Sequence, residues 1–257
     1  MEQPPILNNK HYNDGSVFLP ENLLREARRQ KQITERNVPA ICVLDPDGDL
    51  TAYLISKELA QKSNCWACYH STLYHFSLDE VQIGIIPCIV GASYAVLVAE
   101  QLFVSGCKLL ISVTSAGIIN QPEENKRFAL ITEAIRDEGT SYHYLPKEVK
   151  ATIAEESRNR IPQVSQALWF AARSWTTDAP YRETAAAIEA MKTAGVTCVE
   201  MEAAALYAFA MAQKKNILCF AHLTNTMPQQ EGDFEKGEHF GSIDTLHLLK
   251  MIIHDKH

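Results

Sequence analysis

Short apolar runs rich in strand formers alternate with amphipathic stretches along most of this 257-residue chain. That rhythm predicts an α/β fold with a central mixed, mostly parallel sheet flanked by helices. Polar clusters fall at the carboxyl ends of the apolar runs, where open α/β sheets collect their ligands. No internal repeat, low-complexity tract or linker interrupts the pattern, so one structural domain is expected, with residues 1–38 as an N-terminal arm and helix and 39–257 as the α/β body.

The elements follow in order. Pro20-Glu21-Asn22 opens a helix whose stripe is Leu23, Leu24 and Ala27. The run from Ala40 to Leu44 is a buried strand, stopped by the turn Asp45-Pro46-Asp47-Gly48. A helix is predicted over 50–62. Trp66 to Ile89 reads as two strands joined near Leu78-Asp79-Glu80. Gly91-Ala92-Ser93 opens a helix that runs to about Ser105 and stops at Gly106. Strands are predicted over 108–113 and 128–134, the first running into Thr114-Ser115-Ala116-Gly117. Residues 147–160 read as a helix, 167–176 as a strand and 184–194 as a helix. Cys198 to Glu202 is a strand turning directly into the helix Ala203 to Gln213; Ile217 to Thr224 is the last strand, and an amphipathic helix over 243–257 closes the chain.

Composition bounds the function. Hydrophobic residues make up 46% and charged residues 21%, as in globular proteins. The formal charge of −7 argues against nucleic acid or an anionic membrane as the main partner. No apolar run is long enough to span a bilayer, and Met1 to Lys10 lacks a signal-peptide pattern, so a cytoplasmic location is expected. Seven cysteines, an odd number, fit a reducing compartment. Cys65-Trp66-Ala67-Cys68 with His70 has metal-like spacing, but no second Cys or His pair follows at zinc-ribbon distance, so these residues read as packing and no metal is assigned. No dinucleotide or nucleoside-triphosphate phosphate loop is present.

The strongest local signal is Val199-Glu200-Met201-Glu202-Ala203, where two carboxylates leave an apolar strand just before an apolar helix. Glu is rarely buried unless paired. Capping the helix explains one of them. Strand alternation points both the same way, which suits a grip on sugar hydroxyls, and a carboxylate beside a ribose stabilises the oxocarbenium-like state of N-glycosidic cleavage.

This segment resembles the ribose-binding motif of the nucleoside phosphorylase superfamily, the group of uridine and purine nucleoside phosphorylases and methylthioadenosine nucleosidases. Other segments agree in order: Leu44 to Gly48 with the early turn, Gly91 and then Ser115-Ala116-Gly117 with the central substrate loop, Arg136 to His143 with a second loop, Thr177-Asp178-Ala179-Pro180-Tyr181-Arg182-Glu183 with the base-side segment, and Asn225 to Glu231 with the last substrate loop. The resemblance covers residues 40–253. It implies that family's single-domain three-layer fold and cleavage of the N-glycosidic bond of a purine or pyrimidine nucleoside. Glu200, Met201 and Glu202 would bind the ribose, with Glu202 on its hydroxyls, and His11 would reach a 5′-hydroxyl. Thr177, Asp178, Tyr181, Arg182 and Gln229 would lie on the base side, and Glu202 with Asn225 at the reacting bond. It also implies a homo-oligomer, a dimer or trimer of dimers, and no cofactor apart from phosphate as co-substrate.

Departures from the pattern bear on the reaction. The family's phosphate arginines would fall at Gly48, at Ser112 and near His70-Ser71, and none of these is Arg. Arg136, Arg173 and Arg182 are the candidates to replace them, since a guanidinium fork matches phosphate. Asn225 stands where purine-cleaving members carry an Asp, and Asn cannot act as a general acid. A hydrolase and a nucleoside-binding protein without turnover therefore stand beside the phosphorylase. The acidic run Glu231 to Glu238 reads as a solvated loop rather than a lid.

Overall fold

The computed structural model describes residues 4–8, 10–35, 37–122, 126–161, 168–228 and 231–254. Helix α1 (Pro20–Lys31) is followed by β1 (Ile41–Asp45), α2 (Asp49–Ser56), β2 (Gln61–Lys62), β3 (Tyr74–Leu78), β4 (Val81–Pro87) and α3 (Ala92–Val104). Then come β5 (Leu109–Ile118), β6 (Phe128–Asp137), β7 (Ala151–Thr152), α4 (Glu155–Arg158), β8 (Trp169–Thr177), α5 (Ala185–Thr193), β9 (Cys198–Glu200), α6 (Ala203–Gln213), β10 (Ile217–Thr226) and α7 (Ser242–His254).

The ten strands among the described residues form one mixed sheet. Strand β5 pairs in parallel with β1 through its first half and with β10 along most of its length. Its last two residues pair antiparallel with β9, which runs parallel to β8; β8 is parallel to β6, and β6 returns antiparallel to β10. These pairings close β5, β10, β6, β8 and β9 into a ring, while β1, β4, β3 and β2 extend outward from β5.

Both faces of the sheet are covered, which is why its central strands are apolar at every position rather than at alternate ones. Cys42 and Leu44 of β1 join the core under α3 and α6, whereas Val43 between them joins the core under α2 and α7. Strand β10 divides the same way: Cys219 and Ala221 face one layer, Leu218 and Phe220 the other. Helix α6 is apolar all round because Ala203 to Ala210 are all buried. Its one hydroxyl, on Tyr207, donates to the Ile131 carbonyl and accepts the Cys219 N–H.

Three predicted elements differ. The helix expected over 50–62 ends at Ser56, with Glu58 in a left-handed conformation, and the chain returns as β2 against β3. The helix expected over 147–160 shrinks to α4, preceded by β7 on the edge of β6. The Arg136 guanidinium claims the carbonyls of Leu145, Pro146 and Val149, so that segment is held as a loop. Strand β5 runs on through Ile118, so Ser115-Ala116-Gly117 is extended sheet rather than loop.

Candidate functional site

Strand register brings the polar clusters together. Gly117 pairs with Asn225 of β10 on one side and with Val199 of β9 on the other, and Thr176 of β8 lies beside Glu200. Ser115, Glu200 and Asn225 therefore converge at the end of β5. A side chain at Gly117 would meet Met227 Sδ at 2.9 Å, so the close approach needs glycine.

The two glutamates do not behave as strand alternation predicts. The chain leaves the strand at Met201, which is half-buried, and Glu202 caps α6 with φ −130° and ψ −38°. Glu200 is buried and turned inward. It accepts from Ser174 Oγ at 3.0 Å and Thr176 Oγ1, and from the N–H groups of Glu202 and Ala203 at 2.7 Å. Burial pushes its pKa up and those donors, at the positive end of α6, pull it back. Glu202 is also buried, but its Oε1 takes the Gly91 N–H at 2.7 Å and its Oε2 has no hydrogen-bond partner. The nearby Thr114 hydroxyl is directed to the Ser115 carbonyl at 3.3 Å. Burial, then the Glu200 charge, raise Glu202 to about 8. Both carboxyls are pushed up by burial, but Glu200 has four donors to offset it and Glu202 has the Glu200 charge added to it, so the two environments differ.

At the other end of the site an acidic turn meets β5. Asp45 is buried and accepts the Thr51 N–H and hydroxyl, each at 2.8 Å. Burial first, with Asp47 and Asp49 adding to it, raises Asp45 to about 6 against those two donors. Asp47 Oδ2 accepts both the Ser115 N–H at 3.0 Å and the Ser115 hydroxyl. Lys236 reaches in from the 231–241 segment to Asp49 at 2.6 Å and Asp47 at 3.4 Å. Burial alone would lower the Lys236 pKa, but the two carboxylates raise it on balance, so it stays a cation. Asp233 accepts from the Thr226 N–H and hydroxyl, which ties the same segment to the end of β10. The stretch expected to be a solvated loop is fastened across the acidic end of the site.

The structure leaves other predicted residues elsewhere. Tyr181 is 99% exposed and Arg182 is exposed beside it, so neither side chain enters the cleft. Thr177 is buried and accepts the Ala179 N–H, while Asp178 accepts the Gly139 N–H and holds the second loop. His11 is exposed on an arm whose neighbours Lys10 and Tyr12 contact His143 and the Tyr142 carbonyl. Gln229 lies outside the described residues. Asn225 accepts from Thr224 Oγ1 and donates to the Thr226 carbonyl.

None of the substitute arginines faces the acidic turn. Arg136 is spent on Ser141 and three carbonyls, and Arg173 on Glu133 and the Ala194 carbonyl. Gly48, where the family pattern carries an arginine, has φ +80°, and a side chain there would fall 2.9 Å from Cys88 Sγ. Among the described residues no three His, Cys, Asp or Glu side chains converge as a metal site. Cys65 and Cys68 are buried in the core.

Sequence reasoning missed Asp47, Lys236 and His222. The Asp-Pro-Asp-Gly-Asp run was the available signal for the first; a lone lysine in an acidic segment and a histidine inside an apolar strand carried none. A groove of about 890 Å3 beside Arg25 and Arg29 of α1 shares no residue with this cluster.

A family model described as the phosphorylase superfamily matches residues 40–246. The chain belongs to that superfamily. No curated protein sequence matches it significantly. Among solved structures, it is similar to a uridine phosphorylase from Vibrio fischeri complexed with 6-hydroxy-1-naphthoic acid, with TM-score 0.70 and 14% identity over 87% of this chain and 97% of that one. It is also similar to a purine nucleoside phosphorylase from Toxoplasma gondii in complex with immucillin-H, with TM-score 0.69 and 14% identity over 86% and 90% of the two chains. At such identities the likeness carries the phosphorylase-superfamily fold alone. No described helix is long and apolar enough to cross a membrane.

Proposed function

We propose that this phosphorylase-superfamily chain cleaves the N-glycosidic bond of a ribonucleoside with water in place of phosphate. The observation that carries the reading is the pair of hydrogen bonds from Ser115 to Asp47. Donors on the central substrate segment, which could hold an anionic co-substrate, are already taken by an internal carboxylate. Asp45, Asp47 and Asp49 with one lysine leave net negative charge there, which repels phosphate. In this reading Asp47 accepts a proton from the attacking water, whose oxygen bonds to the anomeric carbon. The C–N bond pair leaves with the base, whose nitrogen takes a proton from solvent. Glu202 faces the ribose hydroxyls, and the fixed negative charge of Glu200 behind it stabilises positive charge developing on the ring. The base side is left to Asn225.

The test is release of free base from purine and pyrimidine nucleosides with phosphate present and with it rigorously removed. Equal release in both, lost in Asp47→Asn, is expected; strictly phosphate-dependent release refutes the reading. A second reading, nucleoside binding without turnover, is favoured by Asn225, which has no acidic proton and whose amide is engaged by Thr224 and Thr226. Saturable nucleoside binding with no base released would establish it. A homo-oligomer in the cytoplasm belongs to the same proposal, and sedimentation of the purified chain measures the assembly.

A further inference from the structure

Beside Asp47 lies a cavity of about 20 Å3, lined by Asp45, Asp47, Thr114, Ser115, His222 and Ser242. Two of its walls are polar side chains with no partner. His222 is 5% exposed and its Nε2 makes no hydrogen bond; Ser242 is 1% exposed and its Oγ makes none. Buried polar groups are costly to leave unpaired, and a polar cavity needs roughly 10–15 Å3 and two to four polar partners to hold a water. This cavity meets both conditions for one water.

His222 is also held in place. Its ring stacks on Phe128 at 4.9 Å, and a side chain at Gly241, where φ is +79°, would fall 2.3 Å from His222 Cε1. Burial lowers its pKa to about 4; Asp244 and Asp47 push it up and Arg127 and Lys236 push it down. The ring is therefore neutral near pH 7, and in either tautomer its Nε2 offers a water an acceptor or a donor.

We propose that this cavity is the seat of the attacking water, with His222 and Ser242 as positioning residues that hold it against Asp47. The inference rests on the hydrolytic reading above and adds where the nucleophile comes from. The water transfers one proton to the Asp47 carboxylate as its oxygen bonds to the anomeric carbon, and the base departs with the bond pair.

Two measurements test it. A high-resolution crystal structure of the wild-type chain should show one water within hydrogen-bond distance of both His222 Nε2 and Ser242 Oγ; no density there, or a closed cavity, overturns the site whatever the activity. Base release is then followed in buffer containing methanol. Opening the cavity with His222→Ala should raise the ratio of methyl riboside to free ribose several-fold over wild type. Ser242→Ala, which keeps the shape, should lower kcat by roughly tenfold to a hundredfold while the nucleoside KM stays within about twofold. An unchanged product ratio, or a change confined to KM, overturns the positioning role. If the wild-type chain releases no base, the hydrolytic reading falls and the water's role falls with it, while the water site is judged on the density alone.

Discussion

Replacing Glu202 with Gln removes a titratable group while keeping its size and the acceptor for the Gly91 N–H. The two chains should differ in stability in a way that depends on pH. In the unfolded chain Glu202 titrates near 4.5, and in the folded chain near 8, because burial and the Glu200 charge oppose ionisation. Below about pH 4.5 the carboxyl is protonated in both states, and the wild-type chain keeps its full stability. As pH rises the unfolded chain sheds this proton while the folded chain retains it, so stability is lost until folded Glu202 itself ionises. At about 1.36 kcal/mol per pH unit, the span from 4.5 to about 8 corresponds to a loss on the order of 3 kcal/mol at pH 7 and 5 kcal/mol at pH 8 and above. Glu202→Gln lacks this loss, so its advantage over wild type should grow across that window. Urea unfolding of both chains between about pH 5 and 9, followed by circular dichroism, measures the gap. A gap that stays constant across the window would refute the assignment of the proton to Glu202. The same substitution should weaken nucleoside binding, which separates stability from function at one residue.

The remaining predictions concern other groups. His222, lowered to about 4, contributes stability that is present above pH 6.5 and lost as pH falls through 4, so His222→Gln should flatten acid unfolding in that window by up to roughly 3 kcal/mol. Arg136→Ala removes hydrogen bonds to Ser141 and three carbonyls, and should cost about 3 kcal/mol by denaturant titration without altering the response to phosphate. Tyr181→Ala should leave the nucleoside KM unchanged and stability within about 0.5 kcal/mol, since that side chain is 99% exposed. Thr184→Ala removes the side-chain cap of α5 and should cost about 1 kcal/mol.

Much was legible in the chain alone. Apolar runs with no polar alternation determine strands covered on both faces, and their alternation with helices determines a layered α/β body, because these follow from local periodicity and burial. The absence of arginine at Gly48 and Ser112 was equally plain, and it raised the question that the Ser115–Asp47 contact then addressed. Tertiary structure decided the charges and partners. Glu200 and Glu202 are two residues apart and both read as sugar-facing; only the fold shows one inside a ring of donors and the other with an unpaired oxygen. Arg136 looked available for an anion until the loop it organises was seen. Lys236 and Asp49 are separated by 187 residues, and Ser115 and Asp47 by 68, so no local pattern could pair them. Periodicity is a property of neighbours in sequence, whereas a proton's position depends on burial and on charges brought near by strand register, and those exist only after the sheet has closed.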